Sequence, residues 1–553
     1  MVPAVEAIPH AALGASALFQ VYTAGDPAAF KLGHRHVYHG SPWSAEDRAK
    51  AAAIAAESMP AETRAVVADV LAEQNRSWES SEAVLEAVER LRDPESVVVV
   101  TGQQLGLFAG PLYTVYKAQS TVRLARRLED ETGRPVVPVF WLADEDHDFA
   151  EIHRARFSDG EEVRTATYDD GLDPDTDRGA VGRIVLEDGA TTQALSDLEA
   201  ALPDGPERDD ALEAARLTYV PGRTMRDAFA LLLRRLVPDI VIVSADDARL
   251  KRLGAPLFRK EVEEHQWTLT FLEQWSAALV DAGFHAQIDP TPVNLFVMGD
   301  SHRTPVDLEG DGFALRGRDT RLTKQDLLDR IENAPETISP NVVLRPLFQD
   351  TILPTAAYVA GPGEAAYFAQ LGHVYDHFGV PMPIIEPRLS LTVIEPGIAK
   401  ILDRYALEVA DLGGPSTQET LHALWRRLAL DASDLEVEPA LDAARSALED
   451  VFADLAPTLE AVDAGLEQTA AAARAKALNA LERLATTTVR LEKRNHDIVR
   501  SRLARAQAAL WPGAPQERVL GPLEVAARHG LPAVRELVDA VPLDASVHHL
   551  VRT

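Results

Sequence analysis

The chain has 553 residues and no cysteine, which excludes disulfides, thiolate metal centres, iron–sulfur clusters and a cysteine nucleophile. Its formal charge of −31 would repel a phosphate backbone, and no block of clustered Lys and Arg offsets it, so nucleic acid is not an expected partner. Only nine of the 55 basic residues are Lys, an acidic, Arg-rich balance that suits a salt-rich cytoplasm and ordinary solubility equally well.

The first residues, MVPAVEAIPHAALG, lack the basic start and apolar run of a signal peptide, and no window approaches about 18 uncharged apolar residues. The sequence thus predicts a cytoplasmic protein that neither leaves the cell nor spans a membrane. Its length calls for a core domain with insertions or for several domains.

In chain order, the first 95 residues read as mainly helical, with Ala-rich amphipathic stretches such as Ser44 to Met59 and Ser80 to Leu91. Val97 to Val100 is then a fully apolar β-branched run, as expected of a parallel strand buried on both faces. A helix is predicted from about Pro111, because Pro is favoured at the first helical position and Tyr113 to Leu128 has helical spacing. Arg134 to Leu142 gives a second apolar strand, which completes a βαβ unit. Further strands are predicted at Asp239 to Ser244 and Thr355 to Val359, the latter running through Ala360-Gly361-Pro362-Gly363 into a helix that ends near His377. Such alternation indicates a doubly wound sheet.

Residues 155–215 and 285–340 are rich in Asp, Gly and Thr and read as insertions of short strands and turns. From about 395, Leu441, Leu448, Leu455 and Val462 recur every seven residues, and Leu484, Leu491 and Ile498 form a second run. Two such segments suggest an antiparallel helical hairpin or coiled coil with a kink at Pro457; an ordinary amphipathic helix packed on the core is the alternative. The expected organisation is therefore 1–154 for the N-terminal helices and first part of the core, 155–215 for a first insertion, 216–284 for more core, 285–340 for a second insertion, 341–394 for the last core segment, 395–510 for the arm and 511–553 for the tail.

Ligands of open α/β sheets bind beyond the carboxyl ends of the strands, so the segments after the apolar runs are where chemistry belongs. The first is Thr101, Gly102, Gln103, Gln104, Gly106, Gly110 and Tyr113, leading to Lys117; its glycines and a helix start offer main-chain amides to an anion, though a tight turn would look the same. The second is Asp144-Glu145-Asp146-His147-Asp148, where four carboxylates and an imidazole need a cation beside them: a metal, a substrate ammonium or nearby Arg. The third joins Asn341 and Arg345 to Gly361, Gly363 and Glu364, with Arg388 and Ser390 further on. Arg345 is suited to clamp a carboxylate, or else to pair with Asp350. His302, His373 and His377 lack ligand spacing and read as surface or core residues.

The stretches TGQQLGLFAGPLYTVYKA, PVVPVFWLADEDHDFAEI, SPNVVLRPLFQDTILPTAAYVAGPGE and WPGAPQERV, in this order, resemble the bacillithiol biosynthesis cysteine-adding enzyme family, and the likeness covers nearly the whole chain. Ala109, Ala360 and Pro515 depart from that pattern, which has Thr or Gly, Gly, and Leu there. The resemblance implies a Rossmann-type doubly wound parallel core with two connecting-peptide insertions, related in architecture to class I aminoacyl-tRNA synthetases, and a coiled-coil arm that forms a homodimer. It also implies a ligase that adds cysteine to the amine of glucosaminyl malate; activation of the carboxylate by ATP or a related nucleotide is expected by analogy with the synthetases, and the metal requirement is left open, with Mg²⁺ a candidate alongside the nucleotide. The two short signature motifs of the synthetases are not recognisable here.

On that basis Asp144, Asp146, His147 and Asp148 are the catalytic candidates, binding the substrate ammonium or taking its proton. Thr101, Gly102, Gln103, Gln104, Gly106, Gly110, Tyr113 and Lys117 are candidates to hold anionic groups, with Asn341, Gly361, Gly363, Glu364 and Ser390 beside them, and Arg345 and Arg388 to face the malate carboxylates. Lys493, Arg494, Gln516 and Arg518 mark a second place for a nucleotide. Two other readings stay open: a hydrolase whose Asp144–Asp148 cluster holds a divalent metal, and a non-catalytic coiled-coil scaffold.

Overall fold

A computed structural model describes the chain except residues 1–3, 26–30, 33–34, 174–175, 300, 415–423, 425–436 and 464, and except the side chains of 31–32, 35–36, 437–438 and 489–496. It divides into two compact units, one of Met1–Pro396 with Pro512–Thr553 and one of Gly397–Trp511.

The centre of the first unit is a five-stranded sheet. Its order is Ile384–Pro387, Thr355–Ala360, Val97–Gln103, Val136–Leu142, Val241–Ser244, and every neighbouring pair is parallel. The valines of Val97 to Val100 are fully buried, as their β-branched run requires, and each contributes on the order of 1.5 kcal/mol or more by leaving water. The first core strand, Val97–Gln103, lies in the middle, with strands later in the chain on either side. This is the doubly wound arrangement, and its switch point falls between Val97–Gln103 and Thr355–Ala360.

The helix after the first strand spans Tyr113–Thr132, two residues beyond the predicted start, and the helix after the fourth spans Pro362–Phe378. The N-terminal region is helical at Ala17–Ala24, Ala45–Ser58, Ala61–Ser77 and Glu82–Glu89. Ahead of these helices, Ala4–Pro9 is a strand that the periodicity did not reveal. It pairs antiparallel with Val547–Arg552, which pairs parallel with Ser390–Ile394, so both ends of the chain close one small sheet.

Between the second and third core strands lies a hairpin, Arg154–Ser158 with Val163–Thr167. Two helices follow, Asp188–Ala201 and Arg208–Thr218, where strands and turns were expected. The segment before the fourth core strand carries a second, antiparallel five-stranded sheet and the helix Lys324–Asn333.

The second unit contains the helices Val437–Val462 and Leu466–Leu510, which pack on one another. Pro457 lies inside the first helix, which continues past it. Leu455, Val462 and Leu484 are 44%, 72% and 58% exposed, so these heptad residues are not covered within the hairpin. No helix among the described residues is long and apolar enough to cross a membrane.

Candidate active site

A cavity of about 720 Å³ opens beyond the carboxyl ends of the strands at the switch point. Gly102 and Gln103 reach it from the end of the first strand, Gly361 to Glu364 from the end of the fourth, and Arg388 and Ser390 from beyond the fifth. The N-terminal segment contributes His10 and Ser16, the start of the Leu344–Ile352 helix contributes Arg345, and the tail contributes Glu517, Arg518 and His548.

At its centre, Lys117 is buried. Its Nζ donates to Glu364 (2.6 Å), to Gln103 Oε1 (3.2 Å) and to the Gly102 carbonyl. Glu364 also accepts from the Gly361 amide (2.6 Å) and the Tyr358 hydroxyl (2.7 Å). Burial pulls the Lys117 ammonium below its ordinary range, while Glu364 opposes this. The Glu364 carboxylate thus neutralises the lysine and takes an amide at the helix start that a ligand anion would otherwise use. Tyr113 receives a hydrogen bond from Gln103 Nε2 (3.1 Å), and the Arg388 guanidinium stands 5.4 Å from its ring centre.

The glycine-rich loop does not form the anion cradle expected of it. Leu105 to Gly110 are buried, and the amides of Gly106, Phe108, Gly110 and Leu112 are bonded to Gln104 O, the Tyr219 hydroxyl, Leu107 O and Leu520 O. A Cβ on Gly106 would meet the Gly110 carbonyl oxygen at 2.0 Å, so these two glycines permit close packing of the loop on itself and line no part of the cavity. Thr101 is likewise buried, its hydroxyl on Val359 O (2.8 Å).

The acidic loop after the second strand finds its cations inside the chain. Asp144 accepts from the Ser244 hydroxyl (2.6 Å) and Arg226 (3.3 Å), and burial, opposed by Arg226, pushes its carboxyl up to about 6. Glu145 pairs with the buried Lys251. Asp146 takes its own neighbour's amide at His147 (2.8 Å), and lies 3.5 Å from Arg345, 3.7 Å from Arg303 and 3.4 Å from Gln104 Nε2. Burial works against its ionised form, but His147 and the two guanidiniums hold it far below the usual carboxylate range. Asp148 caps the short Phe149–Ile152 helix. His147 is bonded to Arg303 (3.0 Å).

The loop therefore diverges. Asp146 alone is tied to cavity residues, through Gln104 and Arg345, while Asp144, His147 and Asp148 stabilise the surrounding fold and do not line the cavity. The described residues contain no group of three or more His, Cys, Asp or Glu set to hold a metal, so the hydrolase reading of this loop loses its ligand set.

Arg345 faces Asp146 and not Asp350, which accepts instead from Tyr375 (2.6 Å) and Gln349 (3.0 Å). Asn341 does not reach the cavity: its side-chain oxygen Oδ1 accepts from the Val343 and Leu344 amides at the start of the helix. Arg388 is already engaged, with two hydrogen bonds to Glu517 (2.9 and 2.7 Å), so its charge is not free for a ligand. Lys493 and Arg494 have side chains outside the described residues. Gln516 is bonded through both ends of its amide to the Val393 backbone (2.8 and 3.0 Å), which removes it from any nucleotide site, and Arg518 lines the main cavity.

A buried chain of hydrogen bonds stands behind Glu517. Its carboxyl is held down at about 2, against burial, by Arg388, His548 and Ser390. Burial pushes the His548 imidazole down to about 3, so the ring is neutral at ordinary pH and its two nitrogens have opposite roles. Because ionised Glu517 only accepts, the Ser390 hydroxyl donates to it (2.7 Å). His548 Nδ1–H then donates to Ser390 (2.7 Å), and Thr392 donates to Nε2 (2.9 Å). His10 and His548 were not legible as site residues, since isolated histidines far apart in sequence carry no spacing signal, whereas Glu517 lies in the Gln516-Glu517-Arg518 stretch that the sequence marked as a second place for a nucleotide.

The comparisons with known proteins agree with this architecture. Residues 4–389 match the family profile described as bacillithiol biosynthesis BshC, N-terminal Rossmann-like domain, and residues 391–553 match that of the BshC C-terminal coiled-coil domain. Three relatives named "Putative cysteine ligase BshC" are similar along most of their length. The one from Salinibacter ruber is 42% identical over 518 residues, 93% of either chain. That from Heliobacterium modesticaldum is 36% identical over 476 residues, 83% of this chain and 84% of the relative, and that from Chlorobaculum tepidum 32% over 504, 88% of each. The chain belongs to the bacillithiol biosynthesis BshC family.

Proposed function

We propose that the switch-point cavity is the active site of a cytoplasmic ligase that joins the carboxylate of cysteine to the amine of glucosaminyl malate, using ATP or a related nucleotide. A carboxylate oxygen takes a phosphoryl group from the nucleotide, releasing the nucleoside diphosphate, or an adenylyl group, releasing pyrophosphate. The sugar amine then attacks the acyl carbon, the phosphorylated oxygen leaves, and the nitrogen gives up a proton. Positioning and electrostatics supply most of the acceleration in such a reaction.

The observation that carries this reading is the convergence of Gln103, the Lys117–Glu364 pair and Arg345 on one cavity beyond the central strands. At the Arg345 end, two guanidiniums share the single carboxylate of Asp146, which leaves an excess of positive charge that fits the cysteine carboxylate or a nucleotide phosphate. Mg²⁺ would arrive on the nucleotide phosphates. Asp146, held ionised, keeps Arg345 and Gln104 in place. The exposed Leu455, Val462 and Leu484 of the arm support a homodimer built there.

The test is to incubate the full chain with cysteine, glucosaminyl malate and ATP, omitting each in turn, and to follow the conjugate by mass. Product only from the complete mixture is expected, and Asp146→Asn should reduce it at least tenfold without altering the oligomer. No product from the complete mixture would remove the ligase reading.

A further inference from the structure

Four Lys or Arg side chains line the cavity, and three of them meet a carboxylate of the chain itself. Lys117 pairs with Glu364, Arg345 with Asp146, and Arg388 with Glu517. Arg518 is the fourth. It is exposed to the cavity and has no ion-pair partner among the described residues. Glu151 also lines the cavity and has no ion-pair partner among the described residues, Arg518 included.

Arg518 is not a loose surface residue. It belongs to the short Gln516–Val519 helix, and the two residues before it are buried and bonded to the strand Ser390–Ile394. Gln516 bonds both backbone groups of Val393, while Glu517 accepts from the Leu391 amide (3.1 Å), Ser390 and both terminal nitrogens of Arg388. Such anchoring fixes the backbone from which the guanidinium projects, so little ordering entropy remains to be lost when a ligand arrives. The same cavity is lined by Ser390, by His10, whose imidazole burial holds below its ordinary range, by His548, whose two ring nitrogens are already bonded to Ser390 and Thr392, and by the internally matched Arg388–Glu517 pair. A cation on a fixed backbone in a polar cavity suits a ligand that carries a carboxylate on a polyhydroxylated body.

We propose that Arg518 is the specificity-determining residue for the anionic arm of the amine substrate. Resting on the ligase reading above, that arm is the malate dicarboxylate, with the sugar hydroxyls toward His10 and Ser390. The guanidinium fork matches a carboxylate in two parallel hydrogen bonds, which an ammonium does not reproduce. Arg345, at the other end of the cavity, is left to the cysteine carboxylate and its activated form.

The experiment compares two amine acceptors, glucosaminyl malate and methyl glucosaminide, which lacks the dicarboxylate, with the full chain and with Arg518→Gln and Arg518→Lys. Loss of one charge-assisted hydrogen-bonded pair corresponds to about 10- to 100-fold in kcat/KM. Arg518→Gln should show that loss for glucosaminyl malate, chiefly in KM, and roughly none for methyl glucosaminide. Arg518→Lys should fall between, and KM for cysteine and ATP should stay unchanged. An equal loss with both acceptors, or a loss confined to KM for ATP, overturns the assignment, the latter in favour of a phosphate. Calorimetric titration of L-malate and of inorganic phosphate decides the matter without turnover. Malate binding that Arg518→Gln abolishes supports the assignment; no malate binding, binding indifferent to the substitution, or phosphate bound in preference overturns it. If no mixture yields conjugate, the ligase reading fails, and the malate titration still judges Arg518.

Discussion

Arg388 and Glu517 stand 129 residues apart in the chain and meet through hydrogen bonds of 2.9 and 2.7 Å, with each side chain 5% exposed. The pair joins the end of the parallel core to the tail and forms one wall of the cavity. A buried pair of this kind adds little over apolar residues of the same size, whereas removing one partner strands a charge. Glu517→Gln should therefore lower unfolding free energy by about 3–5 kcal/mol. The double variant Arg388→Met with Glu517→Leu should recover most of that in urea unfolding while losing turnover.

Two glycines give opposite outcomes on substitution. A Cβ on Gly182 would lie 2.6 Å from Asp144 Cβ and 2.9 Å from its carbonyl oxygen, which accepts the Gly182 amide at 2.8 Å. Gly182→Ala must push the acidic loop away and should lower Tm, at a cost of about 1–3 kcal/mol. Gly189, inside the Asp188–Ala201 helix, has nothing within 4 Å of an added Cβ. Gly189→Ala should raise Tm slightly, by up to about 1 kcal/mol. Calorimetry on both variants reads the contrast directly.

Glu386 supplies a pH dependence. Burial pushes its carboxyl up to about 7, opposed by Arg127 and Arg48, and one of its oxygens is buried with no hydrogen-bond partner. The folded chain therefore keeps a proton that the unfolded chain releases near its ordinary value of about 4.5. This group's contribution to stability is present below that value and is lost as pH rises to about 7, at up to about 1.4 kcal/mol per pH unit. Glu386→Gln should then stabilise the chain more at pH 8 than at pH 5; equal shifts in Tm at the two pH values would refute this.

The arm offers a test of the proposed dimer. Leu455 and Leu484 are 44% and 58% exposed, so charge at these positions leaves the chain's own core untouched. Leu455→Glu with Leu484→Glu should convert a dimer to monomer in sedimentation, with helix content and Tm of the isolated chain nearly unchanged.

The parallel strands were legible because each is a short apolar run that only a doubly covered sheet accommodates, and Val97 to Val100 left no competing option. The arm was legible from its seven-residue spacing. The strand Ala4–Pro9 was not, since AVEAIP has little alternation and pairs with a partner more than 500 residues away. The helices of the first insertion were missed because Asp and Gly clusters mark turns whatever lies between them.

In the cavity, residue types by themselves located where chemistry could sit: Gln103, Lys117, Gly363, Glu364 and Arg345 fall in the segments after strands and do converge. Which charges remain available was decided by the tertiary structure alone. Lys117, Arg388, Asp144 and Glu145 look like free ionic groups in sequence, and all are matched by partners drawn from distant segments. The physical reason is that burial makes an unmatched charge too costly, so a fold recruits a counter-charge from wherever the chain passes. Local composition fixes a group's chemistry, and long-range packing determines whether a ligand or the protein itself satisfies it.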